Sequence, residues 1–582
     1  MFLPATREEM ERLAWPRLDI ILVTGDAYID SPFIGVAMIG KILLHHGFRV
    51  GIIAQPDLQT AADITRLGEP RLFWGITGGC IDSMVANRTA SGRRRKSDDY
   101  TPGGFNNRRP DRAVIAYANL IRRHFKQTVP LILGGLEASL RRLAHYDYWE
   151  NRVRRSILFD AKADYLLYGM ADRSVVELAQ TLDAGQSPTR IRGLCYAAPD
   201  PPAGALLLPA AAEAAADKAA FTCMFQTFYD NNDPVTARTL VQQQDSRFLV
   251  HNPPQPSLST KELDTVHGLP FTRNLHPRDQ LLGPVRALDT IRFALTTHRG
   301  CYGECAFCAI AVHQGRAIVQ RSMASIMAEA EILTTHIAFK GIIADVGGPT
   351  ANMYGFECTR KEQHGACRDK HCLFPEVCPG LKVNHAPLTN LLQRLRTLPK
   401  VKKVAVASGI RYDLILADTK NGRSYLRELV RHHISGQMKI APEHCEASVL
   451  AVMGKPGTDI LLRFRQMFDQ LNKEEGLKQF LTYYLIAAHP GCTLEAMREL
   501  RAFCRGKLHH LPRQVQLFTP TPCTWSTLIY WTENDPRTGK PCFVEKTVQG
   551  RERQKAVLAP TGPEKSARPS RISAGNRVKK KR

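Results

Sequence analysis

Three cysteines on one short stretch, Cys301, Cys305 and Cys308, constrain this chain more than any other feature. They stand in His298-Arg299-Gly300-Cys301-Tyr302-Gly303-Glu304-Cys305-Ala306-Phe307-Cys308, a C-x3-C-x2-C spacing with an aromatic residue before the last thiol. Inert buried thiols have no need of so tight a spacing. A structural zinc needs four ligands, and neither Glu304 nor His313 lies at a familiar zinc spacing. A ferredoxin would add a fourth cysteine and a following proline, but Ala309 follows here. Three thiolates can instead hold three irons of a cubane [4Fe–4S] cluster and leave the fourth iron without a protein ligand. An open iron can bind and reduce a substrate, so the loop reads as a reaction centre.

The chain has 582 residues, too many for one core, and 44% are hydrophobic, as in folded proteins. No apolar run reaches the ~20 residues that span a bilayer, and the N-terminus lacks a signal-peptide pattern. A cytoplasmic location with no membrane contact is expected. Fifteen cysteines there indicate metal sites or reactive thiols rather than disulfides, and seven of them fall between Cys301 and Cys378. The net charge is +24, with eleven Lys or Arg against two Glu in residues 551–582. That segment has no apolar periodicity and is expected to be a disordered basic tail. It could attract nucleic acid through phosphates or only solubilise the chain.

Within residues 1–200, short apolar runs at 19–24, 50–54, 72–77, 130–135 and 165–169 alternate with helical patterns. This order predicts βαβ units and a doubly wound parallel sheet, with ligands at the carboxyl ends of its strands. No G-x-G-x-x-G follows the first run, which argues against a dinucleotide. The loop 87–112 is longer than an ordinary connection and is either a lid or a solvated insertion. Residues 201–285 read as a linker or insertion, Pro/Ala-rich at first. Six further strand-like runs start near residues 290, 341, 404, 437, 482 and 514, separated by helical patterns. They predict a partial (βα)6 barrel over 286–550, with function at its C-terminal face.

The cysteine loop, at this spacing and on this barrel, resembles that of the radical S-adenosylmethionine (SAM) enzymes. Gly134-Gly135-Leu136-Glu137-Ala138-Ser139, Asp345-Val346-Gly347-Gly348-Pro349-Thr350-Ala351-Asn352-Met353-Tyr354 and Phe518-Thr519-Pro520-Thr521-Pro522 resemble the YgiQ-type family of radical SAM proteins, whose reaction is not established. The likeness covers about residues 15–545. It implies a [4Fe–4S] cluster on Cys301, Cys305 and Cys308, and SAM as cofactor. It also implies reductive cleavage of SAM to a 5′-deoxyadenosyl radical that takes hydrogen from an unknown substrate, with electrons from a reductant such as flavodoxin or ferredoxin. Gly347 and Gly348 resemble the glycine motif that meets the SAM amino group, with Pro349 in place of the usual acidic residue. Ser408 and Arg411 resemble polar residues near the SAM ribose and carboxylate, and Glu443 stands where a SAM-site carboxylate is common. The first 200 residues resemble a cobalamin-binding-type α/β domain. Its D-x-H-x-x-G histidine has no counterpart here, so cobalamin is not expected.

A second cysteine set, Cys358, Cys367, Cys372 and Cys378, follows the second barrel strand. Four thiols within twenty-one residues suit a closed metal site, with zinc and an auxiliary iron–sulfur cluster both open. Two other functions compete with the leading one. The basic charge suggests radical modification of a nucleic acid such as tRNA, although no RNA-binding module is evident. A non-catalytic iron–sulfur electron-transfer protein would carry fully ligated clusters and no SAM site.

Overall fold

The computed structural model describes residues 1–512 and 515–559. Strands Ile20–Thr24, Val50–Ala54, Phe73–Thr77, Leu131–Gly134 and Tyr165–Leu167 run parallel, in the spatial order second, first, third, fourth, fifth. Successive side chains on a strand point to opposite faces, and here both faces are covered. Ile21, Val23, Trp74, Ile76, Leu131 and Leu133 join one core with helix Ala113–His124. Ile20, Leu22, Phe73, Ile132 and Leu167 join the other with helices Gly35–His45 and Asp172–Asp183. Near-continuous apolar runs are what a parallel sheet buried on both faces requires. The strand order reverses between the first and third strands, and the carboxyl ends there form a crevice suited to a ligand.

The structure corrects the reading of residues 201–285 as a linker. Beyond strand Leu194–Ala198, strands Arg247–His251, Leu240–Gln244 and Leu206–Leu208 extend the same sheet to nine strands. Helix Lys218–Asp230 buries Phe221, Phe225 and Phe228 against one sheet face. The segment therefore belongs to the N-terminal layer. The loop 87–112 is also built in: buried Arg109 pairs with Asp26 at 2.8 Å and with Asp98 at 3.0 Å, tying the loop to the end of the first strand.

The second half forms the expected parallel succession. Strand Ala294–Thr296 pairs with Asp345–Gly347, and Ile342–Ile343 pairs with Lys403–Val404. Ile410 bridges to Ile440 in strand Gln437–Glu443, which pairs with Phe480–Ala487, and that strand pairs with Gln516–Leu517. Gln514, the expected start of the last strand, lies outside the described residues. Helices Met323–Thr335, Ala386–Arg396, Thr458–Glu474 and Leu494–Gly506 cover the outside, and Phe464, Phe468 and Leu471 fill the core with Ile440 and Leu481.

The two halves pack directly. Tyr146 stacks on Trp531 at 4.9 Å, and Arg299 of the barrel pairs with Asp172 of the N-terminal layer at 2.7 Å. Helix Val548–Val557 runs into the stretch expected to be tail. Its Arg551 is 1% exposed and donates to the carbonyls of Ala90 and Phe518, so the tail begins later than residue 551. The rest of the expected basic tail, from residue 560, lies outside the described residues. Among the described residues no helix is long and apolar enough to cross a membrane.

Phe464 is fully buried in the barrel core, so Phe464→Ala should cost about 3–5 kcal/mol. Urea unfolding followed by circular dichroism should show the midpoint falling accordingly; an unchanged midpoint would mean the barrel core is not packed as described.

Candidate functional site

The first barrel strand hands the chain to the cysteine loop through a turn that only glycine can make. Gly300 has φ +84°, and a Cβ there would lie 1.9 Å from the Ala317 carbonyl oxygen. Just before it, His298–Arg299 pairs with Val319–Gln320 and pins the loop at both ends. Gly303 donates its N–H to Cys301 Sγ at 3.3 Å, and a Cβ on Gly303 would lie 3.2 Å from Cys301 Sγ and 3.6 Å from Cys305 Sγ. Two sulfurs therefore flank one glycine. Burial, then the neighbouring Cys305 and Cys301 sulfurs, push the Cys308 thiol up to about 12, and burial with Cys305 raises Cys301. Among the described residues no three His, Cys, Asp or Glu side chains gather around the position of a single metal ion. Cys301, Cys305 and Cys308 are each partly buried on one short loop, and three thiols at this spacing are a donor set for three irons of a cubane cluster.

The expected SAM residues divide into three groups. Gly347, Gly348 and Ser408 line one cavity together with Ala309 and Ile310, the residues just beyond Cys308. Gly348 presses its backbone on the His298 ring, where a Cβ would lie 2.5 Å from Nε2. Ser408 donates its hydroxyl to Asp345, which also accepts from the Ala407 N–H at 2.8 Å, so the second and third strand ends are locked together. Arg411 is turned toward the sulfurs: its Nη1 lies 3.6 Å from Cys305 Sγ, and its Nε donates to Asp413 at 2.8 Å. Glu443 is buried with φ +68° and faces Lys455 Nζ at 3.5 Å; burial pushes its carboxyl up against that pairing. Neither Arg411 nor Glu443 lines the cavity.

The cavity has a volume of about 620 Å³ and joins the two halves. One side is the barrel face just described. The other reaches between the N-terminal sheet and its helices, lined by Leu22, Gly75, Ile132, Leu167, Val36 and Val175. Several polar groups on its wall have no partner. His267 is 4% exposed with neither ring nitrogen hydrogen-bonded, and His298 Nε2, His313 Nδ1 and Asp172 Oδ1 are also unpaired. Burial pushes the His298 and His313 imidazoles down to about 4 and holds His267 well below its ordinary value, so all three are neutral at pH 7. Sequence reasoning missed these residues. Only His298, in the same short stretch as Cys301, carried a local signal.

Among the described residues the second cysteine set, like the first, forms no group around a single metal-ion position. Cys358 and Cys372 are buried with Tyr302, Phe356 and Leu373 in a small apolar cluster on which Cys301 packs. Cys367 instead accepts from Arg360 Nη1 at 2.7 Å. The whole loop is fastened to the reaction loop by buried Lys361, which bonds Glu304 at 2.9 Å and the Arg316 carbonyl at 2.9 Å.

Comparison with known proteins agrees with this geometry. The family model Radical SAM N-terminal matches residues 2–294. A UPF0313 protein of Fusobacterium nucleatum is 52% identical over 558 residues, 96% of this chain and 98% of that protein. A UPF0313 protein of Thermotoga maritima is 48% identical over 560 residues, 95% of this chain and 98% of that protein. Among solved structures, the radical S-adenosylmethionine methyltransferase TsrM from Kitasatospora setae, with cobalamin and a [4Fe–4S] cluster bound, superposes with a TM-score of 0.50 at 14% identity. The superposition covers 93% of this chain and 91% of that one, and it establishes a shared fold. By sequence likeness along almost its whole length, the chain belongs to the UPF0313, or YgiQ-type, family of radical SAM proteins.

Proposed function

We propose that this chain is a radical SAM enzyme in which Cys301, Cys305 and Cys308 hold a [4Fe–4S] cluster and Gly347, Gly348 and Ser408 seat SAM. The observation that carries the reading is that Ala309 and Ile310, immediately after Cys308, line one cavity with the Gly347-Gly348 backbone, beside the loop on which the Cys301 and Cys305 sulfurs flank Gly303. When bound, the cluster and SAM supply one-electron cleavage of the sulfur–C5′ bond, giving methionine and a 5′-deoxyadenosyl radical that takes a hydrogen atom from substrate. The chain's own residues do the rest. Gly300 makes the turn that starts the cysteine loop. Gly348 has no side chain to strike the His298 ring, so its backbone and that ring share the cavity wall. The Asp345–Ser408 bond fixes two strand ends relative to each other. The apolar cavity wall excludes water, which protects a radical from quenching. The electron comes from a donor of the flavodoxin or ferredoxin class.

A second reading is favoured by the cavity: the N-terminal half holds a corrinoid, contrary to the expectation from sequence. That expectation rested on the missing histidine after the first strand. Tyr28 stands near that place, but its ring stacks on His276 and its hydroxyl accepts from the Leu3 N–H, and it does not line the cavity. The cavity nevertheless opens at the carboxyl ends of the strands, as ligand sites in such sheets do. It is walled by small residues Gly75, Gly134 and Gly135 and carries unpaired His267 and His313. A bulky, mostly apolar ring with polar edges would fill it and engage those nitrogens.

Three measurements test these readings. Anaerobically reconstituted protein should hold about four irons, yield 5′-deoxyadenosine from SAM with a strong reductant, and lose both properties in Cys305→Ala. Persistence of SAM cleavage in that variant would refute the assignment, while zinc or a second set of irons would show that Cys358, Cys367, Cys372 and Cys378 also bind metal. Gly300→Ala should fold yet reconstitute with under about one iron per chain, read by iron assay; full loading would mean the turn does not set the thiols. Hydroxocobalamin should co-elute stoichiometrically with the protein and be lost from Ala171→Trp, which narrows the cavity, while SAM cleavage remains. Retention by that variant, or no binding by the parent protein, removes the corrinoid reading alone.

A further inference from the structure

Arg411 sits in an unusual position for a cofactor-carboxylate ligand. Its guanidinium is almost fully buried, and two of its nitrogens, Nε and Nη2, are taken by Asp413. The remaining edge points at sulfur. Nη1 lies 3.6 Å from Cys305 Sγ, and a Cβ on Gly303 would lie 3.3 Å from that Nη1 and 3.2 Å from Cys301 Sγ. The cation thus stands against the side of the loop that carries both thiols and away from the cavity wall.

Its place is enforced from behind. The Arg411 N–H donates to Asn352 Oδ1 at 2.8 Å, and Asn352 Nδ2 donates to the Arg411 carbonyl at 2.9 Å. Asn352 is in turn within 3.2 Å of His385 Nε2, and His385 Nδ1 is 2.9 Å from Asp418. All four of these side chains are buried. A chain of paired groups this complete fixes the backbone of Arg411 and leaves its head one direction to point.

We infer that Arg411 is a positioning residue that donates an N–H···S hydrogen bond to the Cys305 thiolate and sets the reduction potential of the cluster, with Asp413 limiting the effect. The inference rests on the proposed cluster at Cys301, Cys305 and Cys308. Reduction adds one negative charge that spreads over the irons and their thiolates. A buried cation hydrogen-bonded to a ligand sulfur stabilises that added charge, and hydrogen bonds to the sulfurs are among the groups that set cluster potentials. In a buried site the interaction is weakly screened. Asp413 neutralises part of the guanidinium charge, so the two residues act with opposite sign. The role differs from the one expected from sequence, where Arg411 was assigned to the SAM carboxylate.

The test is a redox titration of the reduced-cluster electron paramagnetic resonance signal in full-length protein, with SAM binding measured by equilibrium dialysis. Arg411→Gln should shift the midpoint to more negative potential, and Asp413→Asn should shift it to more positive potential. SAM affinity should change less than about three-fold in either variant, under about 0.7 kcal/mol. An Arg411→Gln midpoint equal to that of the parent protein overturns the inference. So does a large loss of SAM affinity at unchanged potential, which would return Arg411 to the cofactor. If Arg411→Gln does not retain its cluster, the sign of the Asp413→Asn shift decides. Absence of the signal from the parent protein would instead count against the cluster itself.

Discussion

Three partly buried thiols on one short loop, two of them flanking Gly303, form a donor set suited to bound cations. Burial and the neighbouring Cys305 sulfur push the Cys301 and Cys308 thiols up, so coordination would have to expel their protons. Much of the surrounding structure serves that one loop. Gly300 supplies the turn, the His298–Arg299 pairing anchors the entry, and buried Glu304 is tied down by Lys361. The Cys358–Cys372 region packs against its outer side.

The second organising fact is that two parallel sheets present their carboxyl ends to the same cavity. One end carries Ala309 and Ile310, just beyond the cysteine loop, and the Gly347-Gly348 backbone, and the other carries Thr24, Thr77, Gly134 and Gly135. The Arg299–Asp172 pair closes the seam at a point where both partners are buried. Breaking such a pair strands a charge, so the two halves are held in a fixed relation. On the proposed function, a radical formed at one strand end would face whatever the other sheet holds. The neutral, unpartnered histidines on the wall supply hydrogen-bonding capacity that the chain itself does not use.

The parts legible in the sequence were those with a local signature. The five N-terminal strands and six barrel strands are short apolar runs ended by Gly, Pro or polar residues, and the runs were enough to place them. The cysteine spacing was enough to place the loop. Residues 206–251 were missed because their strands are short and polar, as in Leu240–Gln244 with three glutamines, and gain their burial only from strand Leu194–Ala198 and helix Lys218–Asp230. Composition likewise hid the helix that begins the supposed tail, since Arg551 is buried through partners some 30 and 460 residues away. For Arg411 the sequence offered only a polar residue after a strand; its contacts with Cys305, Asn352 and Asp413 come from the fold. His267 and His313 carry no pattern at all. They matter only because the fold brings His267, at the end of helix Thr260–His267, and His313, at the end of helix Ile310–His313, to one cavity wall.

The central claim is that one iron is left open for SAM. Mössbauer spectroscopy of ⁵⁷Fe-reconstituted protein, before and after adding SAM, tests it most directly. The account predicts that SAM changes the isomer shift of one iron in about four while the others keep thiolate-like values. Four equivalent irons that do not respond to SAM would mean a fully ligated electron-transfer cluster and would contradict it.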